Sequence, residues 1–329
     1  MITELYDSIF NIKTDNDFWE LTLRAFNYQS VNNQVYKEFV NFLGRERIPV
    51  KTVGDIPFLP VEFFRNHKII TGERPFEMIF ESSGTTGITP GKHYVSDLAL
   101  YERSFLKSFR MFYGEPEDYL IIALLPSYKE RGGSSLVYMA DKMIKESHHP
   151  QSGFYKGGTD AILNAVKKGK EGGSRILLLG VSFALLDLAE SGSHDFSGVT
   201  IIETGGMKGR RKELTRSELH RILKEKFNVN TIHSEYGMTE LMSQAYSSGE
   251  GIFYCPPWMR ILLRDPQDPL SLFSQPGKTG GINIIDLANL NSCSFISTGD
   301  LGKLHEDGGF EVLGRFDNSD IRGCNLMAE

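Results

Sequence analysis

The chain has 329 residues, 40% of them apolar and 24% charged, with a formal net charge of −6 at neutral pH. This is enough to bury a substantial core in one large domain or two ordinary ones, and the acidic balance excludes the basic footprint of a nucleic-acid-binding protein. Its three cysteines, Cys255, Cys293 and Cys324, have no metal-ligand spacing and cannot all pair, which suits a reducing cytoplasm, and no apolar run approaches the roughly 20 residues of a membrane helix.

The opening MITELYDSIF lacks the basic start and apolar block of a signal peptide. DNDFWELTLRAF and VYKEFVNFLG have helical spacing; in the second, Val35, Tyr36, Phe39, Val40 and Leu43 share a face and Gly44 supplies the stop. Prolines in GDIPFLPVEFF interrupt regular structure. Strand-like and helix-like stretches then alternate: FEMIFES, SDLALYERSFLKSFRMF, YLIIALLPS, GSSLVYMADKMIKE, RILLLGV, GVTIIETGG and TRSELHRILKEKF, the last with Thr215 and Glu218 at capping-box spacing. This rhythm predicts an α/β fold with a mainly parallel sheet covered by helices and ligands gathered at the carboxyl ends of its strands. From about Ile252 the pattern changes to MRILLRD, GGINIID, CSFIST and FEVLGRF, a smaller β-rich lobe in which Cys293 is expected in a strand and buried, and Cys255, before two prolines, structural. The basic stretches KGRRKE and AVKKGKEGG fall on solvated surface, and His148, His149 and His233 read as satisfied or exposed histidines.

The stretch ESSGTTGITPGKHYV, Glu81 to Val95, follows the strand-like FEMIF. A Walker phosphate loop requires G-x-x-x-x-G-K-[ST]. Gly91 and Lys92 supply its glycine–lysine pair, but Thr86 holds the first glycine position and His93 the hydroxyl position; no G-x-G-x-x-G is present. Two readings remain on composition: a Ser/Thr/Gly loop whose N–H groups and hydroxyls wrap phosphate oxygens with Lys92 adding charge, or a flexible surface turn.

Three further stretches follow in order: HSEYGMTE, STGD and LGRFDNSDIRGCN. Together with the loop they resemble the ATP-grasping motifs of the adenylate-forming superfamily, which includes acyl-CoA synthetases and phenylacetate-CoA ligase. More narrowly, IPFLPVEFF before the loop and an end at IRGCNLMAE resemble the acyl-protein synthetases (long-chain fatty acid to protein ligases) of the bacterial luminescence fatty-acid reductase complex. The resemblance spans about Ile56 to the last residue.

It implies an adenylate-forming N-terminal-domain fold, with layered β-sheets flanked by helices plus the small β-rich lobe. The divisions would be a helical subdomain over 1–75, an adenylate-forming core over 76–316 and a mobile tail over 317–329 that bears Cys324. It further implies that ATP and magnesium serve to convert a fatty acid to an acyl adenylate. Ser82, Ser83, Gly84, Thr85, Thr86 and Gly87 would hold the β- and γ-phosphates with help from Lys92. Tyr236, Gly237, Met238 and Thr239 would line the nucleotide, with Glu240 as magnesium ligand. Gly205 and Gly206, in TGGMKG, would border the adenine and acyl pockets, Asp300 would accept the ribose hydroxyls, and Arg315 would contact the ribose or its phosphate. The plain alternatives are a packing role for Tyr236, a helix N-terminus for Glu240, a turn cap for Asp300 and a surface position for Arg315.

Relatives continue past the GRxD stretch into a lid domain that carries a catalytic lysine. The chain ends within fourteen residues of Arg315, so the lid is expected to be absent, with Lys92 or another basic residue in the lysine's place. In acyl-protein synthetases a cysteine near the C terminus takes the acyl group as a thioester and passes it to a reductase subunit. Cys324 has that place, with Arg322 to lower its pKa and Gly323 to let it swing. The expected partners are a fatty acid and an acyl-CoA reductase-like protein. The rival readings are transfer to coenzyme A or a cell-envelope acceptor, and a nucleotide-binding protein without catalysis.

Overall fold

The structure is a computed structural model that describes residues 2–46, 48–82, 89–125, 133–155, 158–205, 214–273 and 277–316. In chain order the helices are α1 (Ile2–Ile9), α2 (Asp15–Asn32), α3 (Gln34–Phe42), α4 (Phe63–Asn66), α5 (Leu98–Tyr113), α6 (Ser135–Ser147), α7 (Thr159–Glu171), α8 (Ser182–Glu190) and α9 (Arg216–Phe227). The strands are β1 (Leu59–Pro60), β2 (Met78–Glu81), β3 (Lys92–Val95), β4 (Tyr119–Leu124), β5 (Gly153–Phe154), β6 (Arg175–Val181), β7 (Val199–Thr204), β8 (His233–Tyr236), β9 (Ala245–Ser247), β10 (Ile252–Phe253), β11 (Met259–Arg264), β12 (Thr279–Asp286), β13 (Phe295–Leu304) and β14 (Phe310–Arg315).

The βα rhythm becomes a sheet of order β5-β4-β6-β7-β8-β9, parallel except for the last pair. Every residue of β4 is buried, as a strand covered on both faces must be. Leu120, Ile122 and Leu178 face α7, α8 and α9, while Ile121, Ala123 and Leu177 face the core shared with α5 and the second sheet. At Gly169 in α7 a Cβ would collide with Leu120 and Ile176, so the missing side chain sets how closely that helix lies on the sheet. The box at Thr215 forms: Glu218 N–H donates to Thr215 Oγ1 at 3.2 Å, and Thr215 N–H to Glu218 Oε2 at 2.9 Å.

The β-rich lobe begins where the pattern changes, as an antiparallel sheet β10-β14-β13-β12-β11. The long strand β13 changes partner along its length: β1 pairs parallel to Ile296 and Ser297, and β14 pairs with Asp300 through Leu304. Backbone bonds between Tyr246 and Tyr254 join the two sheets. The first three helices pack into the same core, for example through Tyr36 stacked on Phe295. Cys293 is buried as expected but sits in the turn before β13 rather than in a strand, its Sγ donating to Phe295 O. Among the described residues no helix is long and apolar enough to cross a membrane.

Candidate active site

The hydroxyl-rich stretch is flanked by two antiparallel strands. Strands β2 and β3 pair with Glu81 opposite Lys92, and one residue further in, Ser82 N–H donates to Gly91 O at 2.9 Å while Gly91 N–H donates to Ser82 Oγ at 2.8 Å. Ser82 therefore pins the base of the loop. Ser83, Gly84, Thr85, Thr86 and Gly87 lie outside the described residues. Lys92 is drawn to Glu81, Nζ to Oε1 at 3.5 Å, with both side chains about half exposed.

Behind this base lies the turn that follows β8. His93 points inward from β3 and its Nδ1–H donates to Thr239 O at 2.8 Å; a carbonyl can only accept, so the tautomer is fixed. Burial pushes the His93 pKa down to about 4, which keeps the ring neutral at neutral pH. Asn289 Nδ2 donates to Glu240 O at 2.7 Å, so both carbonyls of the Thr239–Glu240 turn are held. The turn continues as Leu241 N–H donates to Met238 O at 3.1 Å and Asp286 accepts from Met242 N–H and Ser243 N–H. Glu240 is in this turn and not at a helix N-terminus. Its carboxyl is buried, and Oε1 occupies the space where a side chain on Gly91 would stand. Burial pushes its pKa up to about 7, opposed by its own N–H and by the guanidinium groups of Arg315 and Arg65, with Asp300 adding to the rise.

Asp300 lies within β13, directly across from Arg315 on β14, and is not a turn cap. Arg315 Nε approaches Asp300 Oδ1 at 3.5 Å from a largely exposed side chain, and Tyr236 O–H donates to Asp300 Oδ2 at 2.9 Å. Tyr236 also packs: its ring meets Phe253 and Phe310 edge-on. Burial raises the Asp300 pKa, against Tyr236, Arg315, Arg264 and Arg216. At Gly237 a Cβ would run into Glu235 Oε1, and Glu235 is in turn held by the Thr204 hydroxyl. Gly205 follows β7, its carbonyl accepting from Ser182 Oγ at 2.7 Å.

The structure thus brings Ser82, Gly237, Thr239, Glu240, Tyr236, Asp300 and Arg315 near one another, with Asp300 and Arg315 both acting on the Glu240 carboxyl. Gly206 and Cys324 lie outside the described residues. His148 caps α6 in the left-handed region, and His233 lies against the Tyr113 ring. Burial raises the thiol pKa of Cys255, and that of Cys293 to about 12. Among the described residues no three His, Cys, Asp or Glu side chains gather as a metal cluster; a magnesium ion bound through one or two carboxylates and phosphate oxygens needs none. Sequence reasoning missed Gly91 as room for Glu240, and it missed His93, Asn289 and Arg65. The alternation in KHYV was a signal for an inward His93; nothing linear marks Asn289.

No family model matches the chain, and no curated protein matches it. Solved structures do. The o-succinylbenzoate coenzyme A synthetase of Bacillus subtilis, solved with ATP and a magnesium ion, matches with a TM-score of 0.50 at 19% identity over 72% of this chain and 49% of its own. The amide bond synthetase McbA of Marinactinospora thermotolerans matches with 0.51 at 17% over 85% and 58%, and a long-chain-fatty-acid–CoA ligase of Archaeoglobus fulgidus with 0.51 at 16% over 73% and 51%. The chain has the fold of these synthetases. It spans about half the length of the solved proteins it matches.

Proposed function

We propose that the chain activates a carboxylic acid with ATP as an acyl adenylate. The observation that carries this is the convergence of Glu240 on the pinned base of the hydroxyl-rich loop, with Asp300, Tyr236 and Arg315 beside it. A carboxylate has no adequate leaving group, so one of its oxygens attacks the α-phosphorus of ATP, the bond to the β-phosphate breaks, and pyrophosphate departs. Such a site has mainly to orient the reactants and offset growing negative charge.

The base at Ser82 and Gly91 would set the loop around the β- and γ-phosphates, with Lys92 exchanging its surface partner Glu81 for phosphate. Asp300 would accept from the ribose hydroxyls, held by Tyr236, while Arg315 would face the ribose or its phosphate. Glu240 suits magnesium: a hard oxygen donor that ionises near neutrality and stands over a residue with no side chain. The ion, when bound, would offset the charge of the triphosphate. The held carbonyls of Thr239 and Glu240 fix where that carboxylate stands.

Within this reading the chain is an acyl-protein synthetase acting on a long-chain fatty acid. The Cys324 thiolate attacks the acyl carbonyl, AMP leaves, and the thioester passes to a reductase-like protein. The order of the sequence motifs and the resemblance carried by IPFLPVEFF support this step. ATP–pyrophosphate exchange that requires added fatty acid tests the first half; exchange without acid dependence, or none with any carboxylate, would overturn it.

A further inference from the structure

We propose that Arg216 is a positioning residue of this site: it bolts β14 to the end of β7 and so sets where Asp300 and Arg315 stand. The inference rests on reading that pair as nucleotide contacts.

Arg216 opens α9, directly after the segment that follows β7. Its guanidinium serves three structural pieces at once. Nε donates to Glu203 Oε1 at 3.2 Å on β7, Nη1 donates to Val312 O at 3.1 Å on β14, and the plane lies 4.8 Å from the centre of Phe253 on β10. The planar fork of arginine allows this; an ammonium group offers a single point of charge. Val312 pairs with Gly302 on β13, next to the register shift between Leu301 and Gly302 beyond which Asp300 stands opposite Arg315. Phe253 in turn packs on Tyr236 and Phe310, and Tyr236 donates to Asp300. Arg216 therefore reaches Asp300 by two routes, through the β14 ladder and through the aromatic wedge.

The anchor end is built for this. Glu203 is buried, its other oxygen accepts from Ser182 Oγ at 3.0 Å, and His220 Nε2 lies 3.5 Å away. Burial pushes the Glu203 pKa up, but His220, Arg216 and Ser234 outweigh it and keep the carboxyl below its ordinary value. Ser182 also holds the Gly205 carbonyl. The same buried carboxylate thus fixes the end of β7 and, through Arg216, the strand that carries Arg315. A bare counter-ion for Glu203 would not require the bond to Val312.

Arg216→Met leaves Glu203 buried without its cation and risks the fold, so the test uses Arg216→Lys and the pair Glu203→Gln with Arg216→Met. Hydrogen exchange of the β14 amides is expected to quicken about tenfold in both, the scale of one lost hydrogen bond to a charged donor, while the β4 and β6 amides stay unchanged. In exchange assays the KM for ATP should rise about tenfold with the fatty-acid KM unchanged, and this rise should shrink in an Arg315→Ala background because Arg315 is one of the two groups that Arg216 sets, the other being Asp300. Unaltered β14 protection, or ATP effects that multiply with Arg315→Ala, would overturn the bolt. Wild-type protein that shows no exchange would instead remove the reading on which it rests, and the β14 amides would still report the tie.

Discussion

Gly91→Ala probes the site through a single methyl group. An alanine Cβ at this position would stand 2.4 Å from Glu240 Oε1 and an ordinary 3.5 Å from Ser82 Oγ. The backbone at Gly91 is not in the left-handed region, so the substitution adds no strain of its own. The Thr239–Glu240 backbone is held by His93 and Asn289, which leaves the carboxyl as the part that must yield, by roughly 1 Å to regain an ordinary contact. Misplacement on that scale costs about 100-fold in rate. The expected cost in stability is small, because overpacking of about 1–3 kcal/mol is relieved by a side chain that can swing and is partly offset by the lower chain entropy of alanine. Fatty-acid-dependent ATP–pyrophosphate exchange across a magnesium titration, alongside urea unfolding, reads both. Glu240→Asp added to Gly91→Ala shortens the acid and should recover part of the rate. A folded Gly91→Ala protein with full exchange and unchanged magnesium dependence would refute the placement of Glu240 in the site.

Glu240→Gln keeps the volume and removes the charge, so exchange should fall about 100-fold; in the wild type kcat/KM should decline as pH drops through about 7, where the carboxylate of the free enzyme takes up its proton. Tyr236→Phe keeps the contacts with Phe253 and Phe310 but strips Asp300 of a donor, which should raise the KM for ATP about tenfold, a cost of about 1–2 kcal/mol, with little change in Tm. His93 is held neutral, so its contribution to stability is complete above pH 6.5 and is lost as pH falls to about 4; the stability difference between wild type and His93→Gln, followed by urea unfolding, should shrink by about 3 kcal/mol over that window, and a constant difference would contradict a buried neutral ring. Cys324→Ser should retain exchange yet lose covalent acyl labelling, whereas Cys255→Ser and Cys293→Ser should label normally; labelling of Cys324→Ser at wild-type level would remove its carrier role.

Much of the framework was legible because it is local. Periodicity in α2, α3 and α5, the box at Thr215, the apolar runs of β4 and β6 and the β-branched residues of β7 each describe a segment's own structure, and the alternation of such segments describes a parallel sheet. The motifs located Glu240, Tyr236 and Asp300 but not what holds them. Asn289 and His93 reach the Glu240 turn across 49 and 146 residues of chain, and no linear spacing encodes such pairs. Lys92 read as a charge offered to the loop, yet the hairpin register sets it against Glu81. Cys293 read as a strand residue because the stretch CSFIST continues into the apolar Phe295 and Ile296, while the chain turns at Cys293 to bring Ser294 to Gln29.

The central claim is that this site joins the carboxylate of an acid to the α-phosphate of ATP. An acid labelled with oxygen-18 in its carboxylate, incubated with the protein, ATP and magnesium, should leave one labelled oxygen on the AMP released after acyl transfer. Unlabelled AMP, or label appearing in orthophosphate, would contradict it.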